Sequence, residues 1–324
     1  SKYKPLSSLD INIIDSDGYY PVCTSIDGTI IYGYKSKTLY KSTDNWNTKA
    51  PIYTFERDIG NIYRMDNGEL IVCLINVTDV ANGCLYISSN NITTWTKALE
   101  SSTTTTHFVQ MWGGVSTYNN IIVAGEYGTY TEATKVWLSK DYGVTFKEIL
   151  DIGVAIQKHI HGVAYDKWYE RIWVVNGDGD NKSIRFTDDW GLTWITVSNQ
   201  YQPVGIIPTQ NSILFTMDGS PNGVLLLRRT EKEDYNFNFE IGYHLSPEST
   251  QTLYAGQRHF ISPDGVIYMP ILHTGGGYCY VLATKDGVNI FEIYKSPTPL
   301  EVWRGIINIF TLPNGTMIGV HNVF

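Results

Sequence analysis

Two stretches of eight residues decide the fold of this chain: Ser139-Lys140-Asp141-Tyr142-Gly143-Val144-Thr145-Phe146 and Thr187-Asp188-Asp189-Trp190-Gly191-Leu192-Thr193-Trp194. Both follow the pattern Ser/Thr-x-Asp-x-Gly-x-Thr-aromatic. The hydroxyl and the carboxylate can bond to nearby backbone N–H groups and close a compact turn, and glycine permits a positive φ angle there. We therefore interpret each stretch as a structural turn that connects two strands, with the aromatic ring packed beneath the turn. The structural residues predicted in this way are Ser139, Asp141, Gly143, Phe146, Thr187, Asp189, Gly191 and Trp194.

The pattern resembles the Asp-box, or BNR, repeat of sialidase-like β-propellers. Degenerate copies begin at Ser42, Ser88 and Thr284, and the stretch from Thr230 fills the remaining gap by its spacing. In the copy at Ser42, Trp46 comes early and a lysine stands where the aromatic residue is expected. The six positions are 43 to 54 residues apart, which matches the length of a four-stranded propeller blade.

A second repeat is a β-hairpin about 15 to 20 residues before each box. Two β-rich runs flank a turn that often contains Asp-Gly or Asn-Gly, the strongest short-range hairpin signal. The seven predicted hairpins join residues 22–25 with 29–32, 62–65 with 70–75, 114–117 with 121–124, 163–165 with 172–175, 206–208 with 213–215, 260–262 with 266–269, and 307–312 with 317–320.

These repeats predict an all-β fold in which residues 1–324 form a single β-propeller domain of four-stranded blades. Seven hairpins against six boxes favour seven blades, with six as the alternative. In the seven-blade arrangement, the N-terminal segment around residues 9–14 adds a strand to the last hairpin, so that the two chain ends close the ring. No stretch keeps a helical period beyond about two turns, so long helices are not expected.

The composition excludes several classes of function. A net charge of −8 argues against nucleic acid as the main partner, because phosphate binding requires a basic patch. The four cysteines form no CxxC pair, so we predict buried free thiols and neither a metal nor a cofactor. No apolar run approaches the ~18 residues of a membrane span, so membrane insertion is not expected. The 23 tyrosines and 9 tryptophans suit strands and sugar-stacking surfaces.

Candidate functional residues come just before the first strand of each hairpin. In a propeller this strand lines the central axis, so we expect these residues to converge on the opening of the central channel, the mouth. Arginine there could bind the carboxylate of a uronic or sialic acid. His159 and His161 are expected to alternate faces, with at most one pointing inward. The predicted substrate-binding residues are Arg57, His107, Trp112, His161, Gln202, Gln257, Arg258, Trp303 and Arg304, and the predicted catalytic residues are His159, His259 and Tyr127.

Three functions stay open at this point. The first is a glycan-binding propeller, as in receptor-binding modules of phage tails or in adhesins, with an extracellular, cell-surface or virion-associated location. The second is a glycan-cleaving enzyme, either a polysaccharide lyase or a sialidase-like glycosidase. The resemblance does not extend to a standard sialidase, because the Arg-Ile-Pro element is missing; a polysaccharide lyase would use Arg258 as carboxylate clamp, His159 or His259 as base and Tyr127 as acid. The third is a structural or protein-binding propeller.

Overall fold

A computed structural model of the chain describes residues 11–15, 18–75, 82–89, 91–101, 106–108, 114–128, 134–153, 159–177, 180, 182–219, 221–232, 234, 236–245, 253–255, 259–262, 264–273, 278–297, 305–311 and 317–322. Within these ranges the regular elements are β-strands, as the strand-like periodicity and the turn signals predict. No helix in the described part of the chain is long and apolar enough to cross a membrane.

After β1 (Ile11–Asp15), the chain forms six antiparallel sheets with the strand order of propeller blades. Blade one contains β2 (Tyr20–Thr24), β3 (Ile31–Lys35), β4 (Thr38–Ser42) and β5 (Ala50–Thr54). Blade two contains β6 (Ile59–Arg64), β7 (Leu70–Leu74), β8 (Cys84–Ser88) and β9 (Trp95–Glu100). Blade three is preceded by β10 (Thr106–His107) and contains β11 (Val115–Tyr118), β12 (Ile121–Gly125), β14 (Lys135–Ser139) and β15 (Lys147–Asp151); β13 (Tyr127–Gly128) pairs with β10.

The remaining three blades follow in chain order. Blade four contains β16 (His159–Asp166), β17 (Arg171–Gly177), β18 (Ser183–Thr187) and β19 (Ile195–Ser198). Blade five contains β20 (Pro203–Pro208), β21 (Ser212–Met217), β22 (Gly223–Arg228) and β23 (Phe239–His244). In blade six, two short strands, β24 (Leu253–Ala255) and β25 (Phe260–Ile261), both pair with β26 (Ile267–His273), which is followed by β27 (Tyr280–Thr284) and β28 (Phe291–Lys295).

The last sheet combines strands from both ends of the sequence. The hairpin of β29 (Gly305–Thr311) and β30 (Met317–Asn322) is extended by β1, which pairs with β30 in parallel. This sheet has three strands in the described ranges, so the preferred prediction of seven four-stranded blades was wrong. The structure has six such blades, the alternative count. Closure of the ring by the chain ends stays a prediction.

All seven predicted hairpins are present as antiparallel strand pairs. Each inner strand is also irregular near its start. Five of them shift register there, at Pro21/Cys23, Ile59/Asn61, Ile160/Gly162, Pro203/Gly205 and Ile306/Asn308. In blades three and six the pairing is divided instead between two short strands. Bulges re-aim side chains and increase twist, so the inner strands change direction at a similar level around the axis.

Apolar side chains from neighbouring blades form the core. In one cluster, Trp173 and Phe186 of blade four pack with Phe215 of blade five, and all three are almost completely buried. Burying one such ring contributes about 1.5–3 kcal/mol relative to an exposed position. The blades are therefore held together mainly by large side chains on their facing surfaces.

The box at 139–146 forms the turn bonds that its sequence permits. The Ser139 hydroxyl donates to Asp141 Oδ1 at 2.7 Å and accepts from the Gly143 amide at 2.8 Å. Asp141 accepts from the Thr145 amide at 2.9 Å and from its hydroxyl at 2.6 Å. These bonds lower the pKa of Asp141, with the Thr145 bonds as the main cause.

The box at 187–194 repeats this network, with Thr187 and Asp189 in the same roles. Bonds to Thr193 lower the pKa of Asp189 to about 2. The Trp194 indole donates to the carbonyl oxygen of Ile149 in blade three at 3.1 Å. The box therefore also contacts the neighbouring blade.

The stretch from Ser42 forms the same network, although its sequence was interpreted as degenerate. The Ser42 hydroxyl accepts from the Trp46 amide at 3.0 Å, and Asp44 accepts from the Thr48 amide at 2.9 Å. Trp46 occupies the glycine position with a φ of 71°. Its ring is 3% exposed and packs with Phe310 and Ile318 of the three-stranded sheet. The indole fills space between two sheets, and this packing compensates for the unfavourable φ angle.

The cysteines are free thiols, as expected. Cys73, Cys84 and Cys279 are buried, and Cys23 is partly exposed. Burial raises the pKa of Cys84 to about 11, so this thiol is protonated at neutral pH.

Candidate functional site

The two faces of the propeller are formed by opposite ends of the inner strands. We call the end at which the inner strands begin, marked by His159, the upper face. The lower face is the end at which these strands turn into the second strand of each blade, marked by Asp166. The boxes lie at the lower face, because they connect the third strand of a blade to the fourth. The candidate site from the sequence belongs to the upper face.

A pair of buried histidines is the main feature of the described upper face. His159 and His161 are 5% and 4% exposed, and their Nε2 atoms are 2.9 Å apart. Their rings stack with centroids 4.9 Å apart. The expectation that they alternate faces was wrong, because residues two apart in a strand lie on the same side of it.

Backbone carbonyls hold the outer nitrogens of the pair. His159 Nδ1 is 2.8 Å from the Gly128 oxygen, and His161 Nδ1 is 3.1 Å from the Pro203 oxygen. A carbonyl oxygen only accepts hydrogen bonds, so each Nδ1 donates a proton. The two Nε2 atoms face each other at hydrogen-bond distance, so the pair can share one added proton.

Tyr127 packs on this pair from blade three. Its ring centroid is 4.2 Å from that of His159, at an interplanar angle of 34°. Tyr127 is partly exposed, whereas both histidines are buried. In the strand register Tyr127 also lies opposite His107. Three of the predicted site residues, from blades three and four, are thus brought to one place, and His107 joins them through its backbone.

Two further polar groups, which the sequence analysis did not identify, lie in the same part of blades three and four. Asn176 is fully buried and accepts a hydrogen bond from Ser183 at 2.5 Å, and Ser183 in turn accepts from Arg185. Burial lowers the pKa of Arg185. Glu126, next to Tyr127, is also fully buried and accepts from the Trp137 indole at 3.0 Å. A polar residue inside an apolar strand, as in Ile-Trp-Val-Val-Asn, was the available signal.

Gly177 allows the close packing of the histidines. A Cβ atom at this position would lie 2.4 Å from His161 Cε1, well inside van der Waals contact. Gly177 also pairs with His159 across the β16–β17 ladder. Backbone carbonyls, the neighbouring strand and Tyr127 therefore all restrict the orientation of the two imidazoles.

Other predicted site residues have different surroundings. Arg57 donates to the Asn82 carbonyl oxygen and to Cys84 Sγ within blade two. Gln202 donates to Asp218 at 2.8 Å. His259 lines a cavity on the ring axis, of which His159, His161 and Tyr127 are not lining residues. Predicted residues that lie outside the described ranges are Trp112, Gln257, Arg258, Trp303 and Arg304.

No family model matches the chain, and no curated protein matches it. Solved structures match it over nearly its whole length. A putative 6-phosphogluconolactonase from Bacteroides fragilis is 13% identical over 93% of this chain and 86% of its own, with a TM-score of 0.56. YCF48 from Cyanidioschyzon merolae is 13% identical over 95% and 91%, with a TM-score of 0.52. A chain in a mitotic checkpoint complex is 11% identical over 97% and 90%, with a TM-score of 0.53.

Identities this low show a shared fold alone. The chain is a single β-propeller of four-stranded blades. Its function has to be argued from its own residues.

Proposed function

We propose that this propeller binds an acidic glycan at its upper face, with Tyr127 as a stacking surface above the His159–His161 pair. The observation that carries this proposal is the contact of a partly exposed tyrosine with a buried pair of stacked histidines whose Nε2 atoms face each other. An aromatic ring can cover the apolar face of a sugar. A proton shared by the histidine pair would favour a carboxylate-bearing sugar over a neutral one.

The histidines act as positioning residues in this proposal. Both are buried, so the ligand contacts Tyr127 and not the imidazoles. Their nitrogens are engaged with two carbonyl oxygens and with each other. For His159 to act as a general base, one of these hydrogen bonds would have to break. The geometry therefore supports binding better than catalysis.

A polysaccharide lyase is the second candidate. One observation favours it: Tyr127 and His159, proposed from the sequence as acid and base, have neighbouring rings. A lyase needs both groups within reach of one bound sugar. Its product would absorb in the ultraviolet as an unsaturated uronide.

A glycan array, followed by calorimetric titration of the best acidic oligosaccharide, tests the proposal. We expect Tyr127→Ala to weaken binding about tenfold, which corresponds to ~1.4 kcal/mol of lost stacking. Tyr53→Ala, which removes an exposed tyrosine from the outer strand of blade one, should leave the affinity unchanged. Equal affinity for the matching neutral oligosaccharide, or unaltered affinity in Tyr127→Ala, would contradict the proposal. Release of unsaturated uronide would replace it with the lyase.

A further inference from the structure

A second candidate site lies on the ring axis in the half nearer the lower face. A cavity of about 400 Å³ opens there between the inner strands of the blades. This volume falls in the range of small-molecule pockets. Its wall includes the buried apolar side chains of Val115, Val163, Ile206 and Ile309 beside the buried polar side chain of Asn61. An apolar body could pack against these apolar side chains.

The charged residues of the cavity lining all have one sign. Arg64 and Lys167 are its permanently cationic side chains, and no aspartate or glutamate is among the described lining residues. The whole chain has 32 acidic residues and a net charge of −8. The cavity is thus a local exception to the charge of the protein, and a cleft lined by one sign of charge concentrates ligands of the opposite sign.

The two cations are exposed, in contrast to the apolar wall. Lys167 Nζ lies 5.4 Å from the ring centre of Tyr118 and 5.0 Å from that of Trp168. Tyr118 in turn stacks on Tyr165 with centroids 5.7 Å apart. These rings form an aromatic side to the cavity, and they keep the ammonium group at its opening.

Arg64 is fixed at the same opening by the turn of blade one. Its Nη1 donates to the carbonyl oxygens of Thr24 and Ser25 at 2.9 and 2.8 Å. These bonds orient the guanidinium group, and in the described part of the chain its Nε and Nη2 atoms have no hydrogen-bond acceptor. A planar guanidinium held in this way can donate to a carboxylate.

The nearby carboxylates already accept hydrogen bonds from turn residues. Asp27 accepts from Ser25 and from Thr29, and its pKa is lowered, mainly by the Ser25 bond. Asp66 accepts from the Asn119 amide at 2.8 Å. Neither residue belongs to the cavity lining, so neither blocks an anion from the opening.

We propose that this cavity binds a small amphipathic carboxylate, with its apolar or aromatic body against the buried wall and its carboxylate at Arg64 and Lys167. The site is separate from the upper face, because Tyr127 and His159 do not line it. It would give the propeller a ligand of a chemical class different from that of the glycan.

Isothermal titration with indole-3-acetate as probe tests this site, and indole-3-acetamide serves as the uncharged counterpart. We expect the acid to bind at least about tenfold more tightly than the amide, because only the acid pairs with the cations. Lys167→Gln should weaken binding of the acid about fivefold. The matched control is Lys147→Gln, an exposed lysine on β15, and should have no effect. Circular dichroism confirms that each variant is folded.

Several results would overturn the inference. These are equal affinities of acid and amide, unchanged affinity in Lys167→Gln, or no binding of the acid at millimolar concentration. Binding of glucuronate without binding of indole-3-acetate would also contradict it, because a sugar acid has no apolar body. Tyr127→Ala should leave indole-3-acetate binding intact, and a loss there would place this ligand at the upper face instead. The upper-face proposal can thus fail or hold independently of this one.

Discussion

The two faces of the propeller use polar residues in different ways. In the boxes at the lower face, aspartate, serine and threonine side chains bond within their own turns, as in the box at 139–146. At the upper face of blades three and four, imidazole, amide and carboxyl groups are buried and bonded between neighbouring strands and blades. The residues that look most reactive in the sequence, the box aspartates, thus contribute to structure. The less conspicuous Tyr127 and His159 form the better candidate site.

Among substitutions at the lower face, Asp166→Ala should cause the largest loss of stability. Asp166 is fully buried and forms a two-pronged ion pair with Arg229, at 2.7 and 2.8 Å, between blades four and five. Arg229 also lies over the ring of Tyr169, 4.4 Å from its centre. Removing one partner leaves a buried charge without compensation, so we expect a loss of about 3–5 kcal/mol in the free energy of unfolding.

Chemical denaturation measures this loss. The control is Glu240→Ala, which removes the partner of Arg228 in an ion pair that is about half exposed on both sides. Such pairs contribute only about 0–1 kcal/mol. Equal losses of unfolding free energy in the two variants would show that the ion pair between blades four and five stabilises the fold no more than an exposed pair does. Glycan affinity of the folded fraction should be unchanged in both.

Gly143→Ala tests whether the boxes also fix the packing of blades. Gly143 has a φ of 83°, and a Cβ atom there would lie 2.0 Å from Ile87 Cδ1 in blade two. The positive φ costs about 1–2 kcal/mol for a residue with a Cβ atom, and the overpacking adds about 1–3 kcal/mol. We expect a total loss of roughly 2–5 kcal/mol in the free energy of unfolding, measured by thermal or chemical denaturation.

Gly153→Ala provides the matched control for Gly143. Gly153 has a similar φ of 74°, but a Cβ atom added there would have no described neighbour within 4 Å. Its substitution should therefore cost only the backbone part, about 1–2 kcal/mol. If the two variants lose the same stability, contact with the neighbouring blade is unimportant at the box.

Lowering the pH should produce the smallest loss of stability per residue. The pKa values of Asp44 and Asp189 are lowered to about 2 by turn hydrogen bonds, chiefly those to Thr48 and Thr193. Because the folded pKa lies below the unfolded value, these carboxylates stabilise the fold above about pH 4. This stabilisation is lost progressively as the pH falls from about 4 toward about 2.

Melting temperatures between about pH 2 and pH 6 check the acid effect. Asp189→Asn cannot ionise, so we expect it to be less stable than the unmodified chain at about pH 6 and to approach it near pH 2. A constant gap across this range would mean that the carboxylate charge does not contribute. Such a result would weaken the contrast drawn between the two faces.

Much of the fold could be predicted from the sequence because its signals are local. Turn residues such as Asp27-Gly28 between apolar runs located all seven hairpins, since turn chemistry and strand periodicity act over a few residues. The blade count was wrong because the width of the last sheet depends on pairing between distant ends of the chain. The box at Ser42 was underestimated because Trp46 is acceptable at a glycine position only when another sheet leaves room for its ring.

The candidate site was predicted less completely. His159 and Tyr127 were identified from their place before or within inner strands, but their contact depends on the packing of blade three on blade four. His259 was assigned to the same site and instead lines the axial cavity. Arg64 and Lys167 were missed because the predicted site residues come before each inner strand, whereas these two lie at or beyond its end. Spacing along a strand does not show which side chains share a cavity across several blades.

The parallel pairing of β1 with β30 has a mechanical consequence. Ile11 lies beside Met317 and Asp15 beside His321, so a tensile force applied through the residues before β1 and after β30 pulls these strands in opposite directions along their length. In this shear geometry the hydrogen bonds of the ladder are loaded together and do not open one at a time. The propeller should therefore resist stretching between its termini far better than stretching across a hairpin, as single-molecule force spectroscopy with the two attachment geometries can measure.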